Sequence, residues 1–140
     1  MNAYQSYQRA EPSAGWTRID MLLALYDGAL ERLGRAETAL KANDRYTAVT
    51  ALTRTQLILS ELAAGVRMEN NETVGPNILR LYEFASNELR TPRIEGIANA
   101  RKVLNTLREG FESVRVDAVE MERSGQLRKA ENLHMVHAQA

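Results

Sequence analysis

Apolar positions recur three and four residues apart along most of the chain, which is the period of an α-helix. The first such segment lies between Arg18 and Lys41. Its continuous apolar face consists of Ile19, Leu22, Tyr26, Ala29, Leu33, Ala36 and Leu40. Thr17 is the expected N-cap, and Asp20, three residues later, completes a variant of the capping box. A second apolar set lies off this face and consists of Met21, Leu23, Leu25 and Leu30. The first half of this helix is therefore expected to need cover on more than one side.

Three more helices follow from the same period and from turn residues. Asn43-Asp44 predicts a tight connection and an N-cap for a second helix over about residues 45–66. A third helix over about 77–90 ends before Pro92, because proline disfavours a helical residue before it. Its expected inner face is Ile78, Leu81 with Tyr82, Ala85 and Leu89. The fourth helix has the expected inner face Ile97, Ala100, Leu104, Leu107, Phe111, Val114, Ala118 and Met121, with a stop at Gly125.

No segment alternates with the period of two that marks a strand, so the predicted class is all-α. Two short turns and one longer loop, residues 67–76, favour an antiparallel up-down-up-down four-helix bundle. The bundle is expected over residues 16–124. Residues 1–15 are polar and contain breakers, which predicts a mobile N-terminal arm, and 125–140 form a C-terminal extension that is either a tail or a short extra helix.

Composition excludes several functional classes. Lys plus Arg and Asp plus Glu number 18 each, so the formal net charge is zero. A nucleic-acid-binding domain normally carries a basic excess, and membrane insertion would need a long apolar run that the sequence lacks. The chain has no cysteine, hence no disulfide and no thiolate metal ligand. Without a signal-peptide pattern at the N-terminus, the expected location is the cytoplasm.

Catalytic and metal-binding patterns are weak. The two histidines, His134 and His137, lie in the C-terminal extension, where Glu131 and His134 form a single Glu-x-x-His. A di-iron bundle needs such a motif on two helices together with inward carboxylates on all four. A metal bound by the tail histidines is therefore the weakest alternative. We expect no metal, no cofactor, no catalytic residue and no enzymatic activity.

The pattern leaves apolar side chains that the four predicted inner faces do not use. They are Met21, Leu25, Leu57, Ile58, Leu79 and Val103. If several lie together on the surface, they form a patch of the kind that marks a partner site. The alternative is a bundle with wide inner faces, in which the same residues are buried at the flanks of the helices.

Four motifs occur in order, and together they resemble the flagellar secretion chaperone family FliS. They are the pair Tyr4 and Tyr7, LYDGA at 25–29, RTQLILSEL at 54–62 and NILRLYEF at 77–84. The resemblance implies a cytoplasmic, non-enzymatic chaperone. Such a chaperone binds the disordered C-terminal segment of flagellin, blocks premature polymerisation and delivers the subunit to the flagellar type III export gate.

The resemblance also implies which residues bind the partner. They are Tyr4 and Tyr7 in the arm, Leu22, Leu25 and Tyr26 in the first helix, Leu59 and Leu62 in the second, and Leu81 and Tyr82 in the third. Apolar grooves between helices are expected to hold flagellin, with the arm covering them when empty. The alternative function is a generic helical adaptor, or a module that forms a weak homodimer through the same apolar flank.

Overall fold

Every described element is a helix. The structure, a computed structural model, describes residues 16–66 and 74–125. The helices are α1 (Arg18–Lys41), α2 (Arg45–Ala64), α3 (Val74–Glu88), α4 (Ile94–Ser113) and α5 (residues 115–125). Within those two ranges there is no strand, and none of the helices is long and apolar enough to cross a membrane. The predicted all-α class is confirmed for the described residues.

The start of α1 and the α1–α2 connection follow the predicted local chemistry. The Asp20 carboxylate accepts hydrogen bonds from the backbone N–H and the hydroxyl of Thr17, at 3.2 and 2.9 Å. In the connection, Asn43 takes a positive φ of 59°, a conformation that asparagine tolerates better than most residues. Asp44 then caps α2 by accepting from the backbone N–H of Thr47 at 3.1 Å. Both predicted caps are confirmed.

The α3–α4 corner depends on a close backbone approach. α3 begins three residues earlier than expected, with Pro76 in its first turn, where a missing N–H costs nothing. It ends at Glu88, shortly before Pro92. A Cβ atom on Gly96 would lie 2.3 Å from the carbonyl oxygen of Glu88, so only glycine allows α4 to start this close to the end of α3.

The four long helices contact one another in a closed cycle: α1 with α2 and α4, and α3 with α2 and α4. Each helix therefore buries an arc wide enough to meet two neighbours. The largest fully buried side chains come from α1, α2 and α4, namely Tyr26, Leu33, Ile58, Ile97, Leu104 and Thr55.

A ladder of ion pairs joins α1 to α4 and α5. Its three pairs are Glu37–Arg101 at 3.3 Å, Asp27–Arg108 at 2.6 Å and Asp20–Arg115 at 2.7 Å. All the acidic partners lie on α1 and all the arginines on the later helices. As residue numbers fall along α1, they rise along α4 and α5.

The fourth predicted helix is interrupted. α4 ends at its C-cap Val114, and α5 continues as a separate helix. Val114 and Met121, expected on the inner face, are exposed, so that part of the prediction is wrong. The physical reason is that the break changes the helical phase. Past the break, α5 lies at the start of α1, where Glu122 accepts hydrogen bonds from the backbone N–H of Arg18 at 3.3 and 3.4 Å.

Candidate partner-binding surface

Most of the residues expected to bind a partner lie in the core. Leu25, Tyr26, Leu59, Leu62 and Tyr82 are all buried. Leu22 is half-buried, and Leu81 is 38% exposed. Tyr4 and Tyr7 lie outside the described residues. Within the described set, the side chains that a partner could reach without opening the protein are therefore Leu22 and Leu81.

The two buried tyrosines form one cluster that joins three helices. The hydroxyl of Tyr26 on α1 hydrogen-bonds to that of Tyr82 on α3, with ring centroids 6.4 Å apart. Phe111 of α4 lies 5.9 Å from the Tyr26 ring. Burial raises the pKa of both tyrosine hydroxyls above the ordinary value, so both remain neutral at physiological pH. Through Tyr26, this cluster links α1 to both α3 and α4.

The six apolar residues outside the predicted inner faces divide into three groups by burial. Leu25 and Ile58 are fully packed in the core, as the wide-face alternative expects, because α1 and α2 each meet two neighbours. Leu57 is 48% exposed, as the surface-patch alternative expects. The other three members of the set are half-buried.

A row of residues lies along one flank of α3. Their spacing of three and four places them on one flank of the helix. The row, called the α3 row below, is Val74, Asn77, Leu81, Phe84 and Glu88. Leu81 and Phe84 are 38% and 45% exposed, and Val74 is exposed as well. The expectation that Leu81 belongs to the inner face is wrong. Tyr82 takes the inner position, and Leu81, one residue earlier, is rotated about 100° away from it around the helix axis.

A second row, with the same spacing, lies on α4. This α4 row is Asn99, Val103, Thr106 and Gly110. The amide of Asn99 donates to the Glu88 carboxylate at 3.0 Å, which joins the two rows at one end. Arg93 also donates to Glu88, at 2.9 Å. At the other end, the Cβ position of Gly110 has no atom within 4 Å.

The surface between the two rows is called here the α3–α4 groove. The Asn99–Glu88 hydrogen bond joins the rows at one end, and the Cβ position of Gly110 at the other end has no neighbouring atom within 4 Å. The apolar lining of the groove comes from the α3 row together with half-buried Val103.

The α2–α3 seam is closed by a polar contact. The Gln56 amide donates to the backbone carbonyl of Ser86 at 2.8 Å, and the Ser86 hydroxyl donates back to the Gln56 side-chain oxygen. Below this contact is a shallow depression lined by Val49, Leu52, Thr53, Gln56, Leu89, Arg90 and Pro92.

Over residues 16–66 and 74–125, no group of three or more His, Asp or Glu side chains is arranged to hold a metal ion. His134 and His137, the alternative metal ligands, lie outside those ranges.

A family model described as Flagellar protein FliS matches residues 1–118 of the 140. The chain belongs to the FliS family. The match covers all four motifs from which the resemblance was inferred, and FliS proteins are flagellar export chaperones. No curated protein matches the chain. The last seven residues of α5, 119–125, lie beyond the FliS match.

Phe84 and Val103 are groove residues that the expected set did not contain. Phe84 is the last residue of the fourth FliS motif, and Val103 is one of the apolar residues outside the predicted inner faces. The available signal was the three-and-four spacing that runs through Leu81 and Phe84 on the polar side of the third helix. That spacing is detectable in the sequence. Whether the side chains that follow it are exposed depends on which flank of the third helix packs against α2.

Proposed function

We propose that this FliS protein is a cytoplasmic, non-enzymatic chaperone that binds the C-terminal segment of flagellin in the α3–α4 groove. Binding would keep flagellin from polymerising before export, and the complex would be delivered to the flagellar type III export gate. No cofactor is required, because the proposed activity is binding alone. The observation that carries the proposal is the pair of exposed apolar side chains, Leu81 and Phe84, in the α3 row.

We infer that the four long helices form an antiparallel up-down-up-down bundle. The closed cycle of helix contacts supports a four-membered arrangement. The reversed order of the ion-pair ladder supports opposite directions for α1 and α4. In this arrangement the α3–α4 groove runs along the bundle axis, so a bound helix would lie parallel to its walls.

The dimensions of the groove suit a short amphipathic helix. Val74 and Phe84 are ten residues apart, which corresponds to about 15 Å along α3. A client helix of about three turns would place apolar residues at i, i+3, i+4 and i+7 against this wall. A disordered segment that folds on binding loses about 2–5 kcal/mol to ordering, which moderates affinity and favours later release at the export gate.

The other expected partner-binding residues have two roles in this proposal. Tyr4 and Tyr7 form an arm that covers the groove when flagellin is absent. Buried Tyr26 and Tyr82 act through the position of α3, since they hold the inner side of the helix whose outer flank contacts flagellin. Leu25, Leu59 and Leu62 serve the core in the same indirect way.

Charged substitutions on the α3 row test the proposal. Phe84→Asp and Leu81→Asp should each weaken binding of a flagellin C-terminal peptide about tenfold or more, because each places a charge in an apolar contact. The melting temperature should change little, since both side chains are already exposed. Isothermal titration calorimetry gives the affinity and thermal unfolding gives the stability.

Leu57→Asp is the matched control, because Leu57 is equally exposed but lies on α2, away from the groove. It should leave flagellin affinity unchanged. If all three variants bind the peptide as well as the native protein does, the α3–α4 groove is not the flagellin site. If Leu57→Asp alone loses binding, the site is on α2.

A further inference from the structure

Among the described helices, α5 is the one without a buried residue. Each of the four long helices contributes residues to the interior, whereas every residue of 115–125 is half-buried or exposed. Its apolar residues Val116 and Met121 are 72% and 74% exposed. The side chains that reach α1 are two charged groups instead, Arg115 and Glu122. α5 is therefore held on the protein by polar contacts more than by burial of apolar surface.

Both of these charged groups contact the first turn of α1. Arg115 lies 2.7 Å from Asp20, and Glu122 lies 3.6 Å from the Arg18 side chain. Glu122 also accepts from the backbone N–H of Arg18, which has no partner within α1 because it is among the first amides of the helix. The side chains of Arg18 and Arg115 are 69% and 43% exposed. Ion pairs this open to water contribute little to stability and weaken with added salt.

Val114 is the single residue between α4 and α5. Its N–H donates to the carbonyl of Phe111 in α4, and its own carbonyl accepts from the N–H of Ala118 in α5, at 3.1 and 2.9 Å. Its φ of −107° and ψ of 7° lie outside the range of a regular helix. Rotation about these two angles would move α5 while leaving α4 in place. The break therefore supplies a hinge.

We propose that α5 is a strap that opens at Val114 and closes over the start of α1, where it covers Leu22. Leu22 is four residues after Arg18, on the same face of α1. Ala118 is four residues before Glu122, on the same face of α5. Residue numbers in the ion-pair ladder fall on α1 as they rise on α5, so Leu22 and Ala118 come level with each other. Both are half-buried, as two side chains that cover each other should be.

The few buried contacts of α5 make its opening inexpensive in free energy. Segments with little buried apolar surface open locally far more often than the protein unfolds as a whole. Opening would change what a partner reaches on α1, because Leu22 is one of the residues that the family resemblance implies for flagellin binding. That consequence rests on the proposed function, whereas the opening of α5 does not. Glu122 lies outside residues 1–118, the part of the chain that the FliS model matches.

Thiol labelling tests the strap, because the cysteine-free chain lets one introduced cysteine report on one position. Raising NaCl from about 0.05 to 1 M, or adding Glu122→Lys, should increase the rate at which Leu22→Cys reacts with a maleimide by about threefold or more. Salt screens the two ion pairs, and a lysine at position 122 places a like charge beside Arg18. Leu30→Cys is the control, since Leu30 is also half-buried on α1 but lies two turns beyond Leu22, away from α5. Its rate should not change.

Glu120→Lys is the matched charge control. Glu120 is exposed and lies two residues before Glu122, so its side chain is turned about 200° away from the α1 contact. This variant should leave both thiols at their native rates. Equal acceleration of Leu22→Cys and Leu30→Cys would show a general loosening of the protein, and an unchanged rate for Leu22→Cys would show that α5 does not open over it. Either result overturns the proposal.

Hydrogen exchange of the Arg18 amide, followed by NMR in the chain without introduced cysteines, gives an independent reading. Glu122→Ala should speed this exchange about threefold or more, because it removes the only acceptor that the structure gives this N–H. Glu122→Gln keeps an acceptor oxygen but loses the charge, so it should have a smaller effect. An Arg18 amide that exchanges equally fast in the native protein and in Glu122→Ala would contradict a closed strap.

Discussion

Tyr26 and Tyr82 place two hydroxyl groups in the core and satisfy them with each other. Tyr26 is wholly buried and Tyr82 nearly so, and their hydrogen bond links α1 to α3. A buried hydroxyl without a partner costs about 1–3 kcal/mol, whereas removing both partners costs less than two separate losses. The pair is therefore expected to be energetically coupled.

Tyr26→Phe and Tyr82→Phe should each lower the free energy of unfolding by about 1–3 kcal/mol, because each leaves the other hydroxyl buried and unbonded. The double variant should be more stable than the sum of the single losses predicts. Urea unfolding of the native protein and the three variants gives the coupling energy. Strict additivity of the two losses would show that the hydrogen bond contributes nothing to stability.

Burial can be predicted from the sequence at most single positions. The prediction fails where two adjacent apolar residues could each occupy the inner face of the helix. Leu81 and Tyr82 are both large and apolar, and periodicity alone assigns either to the inner face. Tyr82 takes it because its hydroxyl can reach Tyr26, whereas Leu81 has no polar group to place. Likewise Ile58 is buried and Leu57 exposed, because only Ile58 lies in the arc shared with a neighbouring helix.

Among the helices, the start of α1 concentrates several stabilising contacts. The Asp20 carboxylate accepts from the backbone N–H of Thr17 and from Arg115 of α5, at 3.2 and 2.7 Å. Glu122 of α5 accepts from the next backbone N–H, that of Arg18. Two carboxylates thus lie at the positive end of the α1 dipole. α5 is therefore held to α1 by ion pairs and hydrogen bonds.

The pKa of Asp20 predicts a pH dependence for this junction. Partial burial alone would raise the pKa, but the hydrogen bonds from Arg115 and Thr17 outweigh it and hold the pKa below its usual value. The stabilisation is therefore present above the unfolded carboxyl pKa of about 4 and is lost as pH falls through the lower folded value.

Asp20→Asn should lower the free energy of unfolding by about 1 kcal/mol at neutral pH, with the difference from the native protein shrinking below about pH 4. Chemical unfolding across a pH series measures both effects. Glu31→Gln is the control, because the Glu31–Arg35 pair is exposed at both ends and should contribute about 0.5 kcal/mol or less. A difference between native and Asp20→Asn that does not change with pH would contradict the pKa argument.

At the scale of the whole molecule, the sequence predicts the helices well and the surface poorly. Periodicity and caps place all four long helices, because those signals are local. The break at Val114 could not be predicted, since Val114, Ala118 and Met121 continue the apolar spacing past it. The α3–α4 groove could not be predicted from the sequence either. It depends on which flank of α3 meets α4, and the Glu88–Asn99 contact and the close approach at Gly96 fix that choice.

The proposed arm makes the last prediction, which concerns the entire chain. If residues 1–8 compete with flagellin for the α3–α4 groove, the binding-competent fraction of the free protein is reduced, and the apparent affinity falls by the same factor. Deleting residues 1–8 should therefore tighten flagellin binding and increase self-association of the free protein through the uncovered groove. Calorimetry with a flagellin C-terminal peptide measures the first effect and sedimentation the second.

A peptide of residues 1–15 added to the deleted protein should restore the weaker binding, whereas the same peptide with Tyr4→Ser and Tyr7→Ser should not. Unchanged affinity and unchanged self-association after deletion would remove the arm from the binding mechanism and leave the groove permanently open to its client.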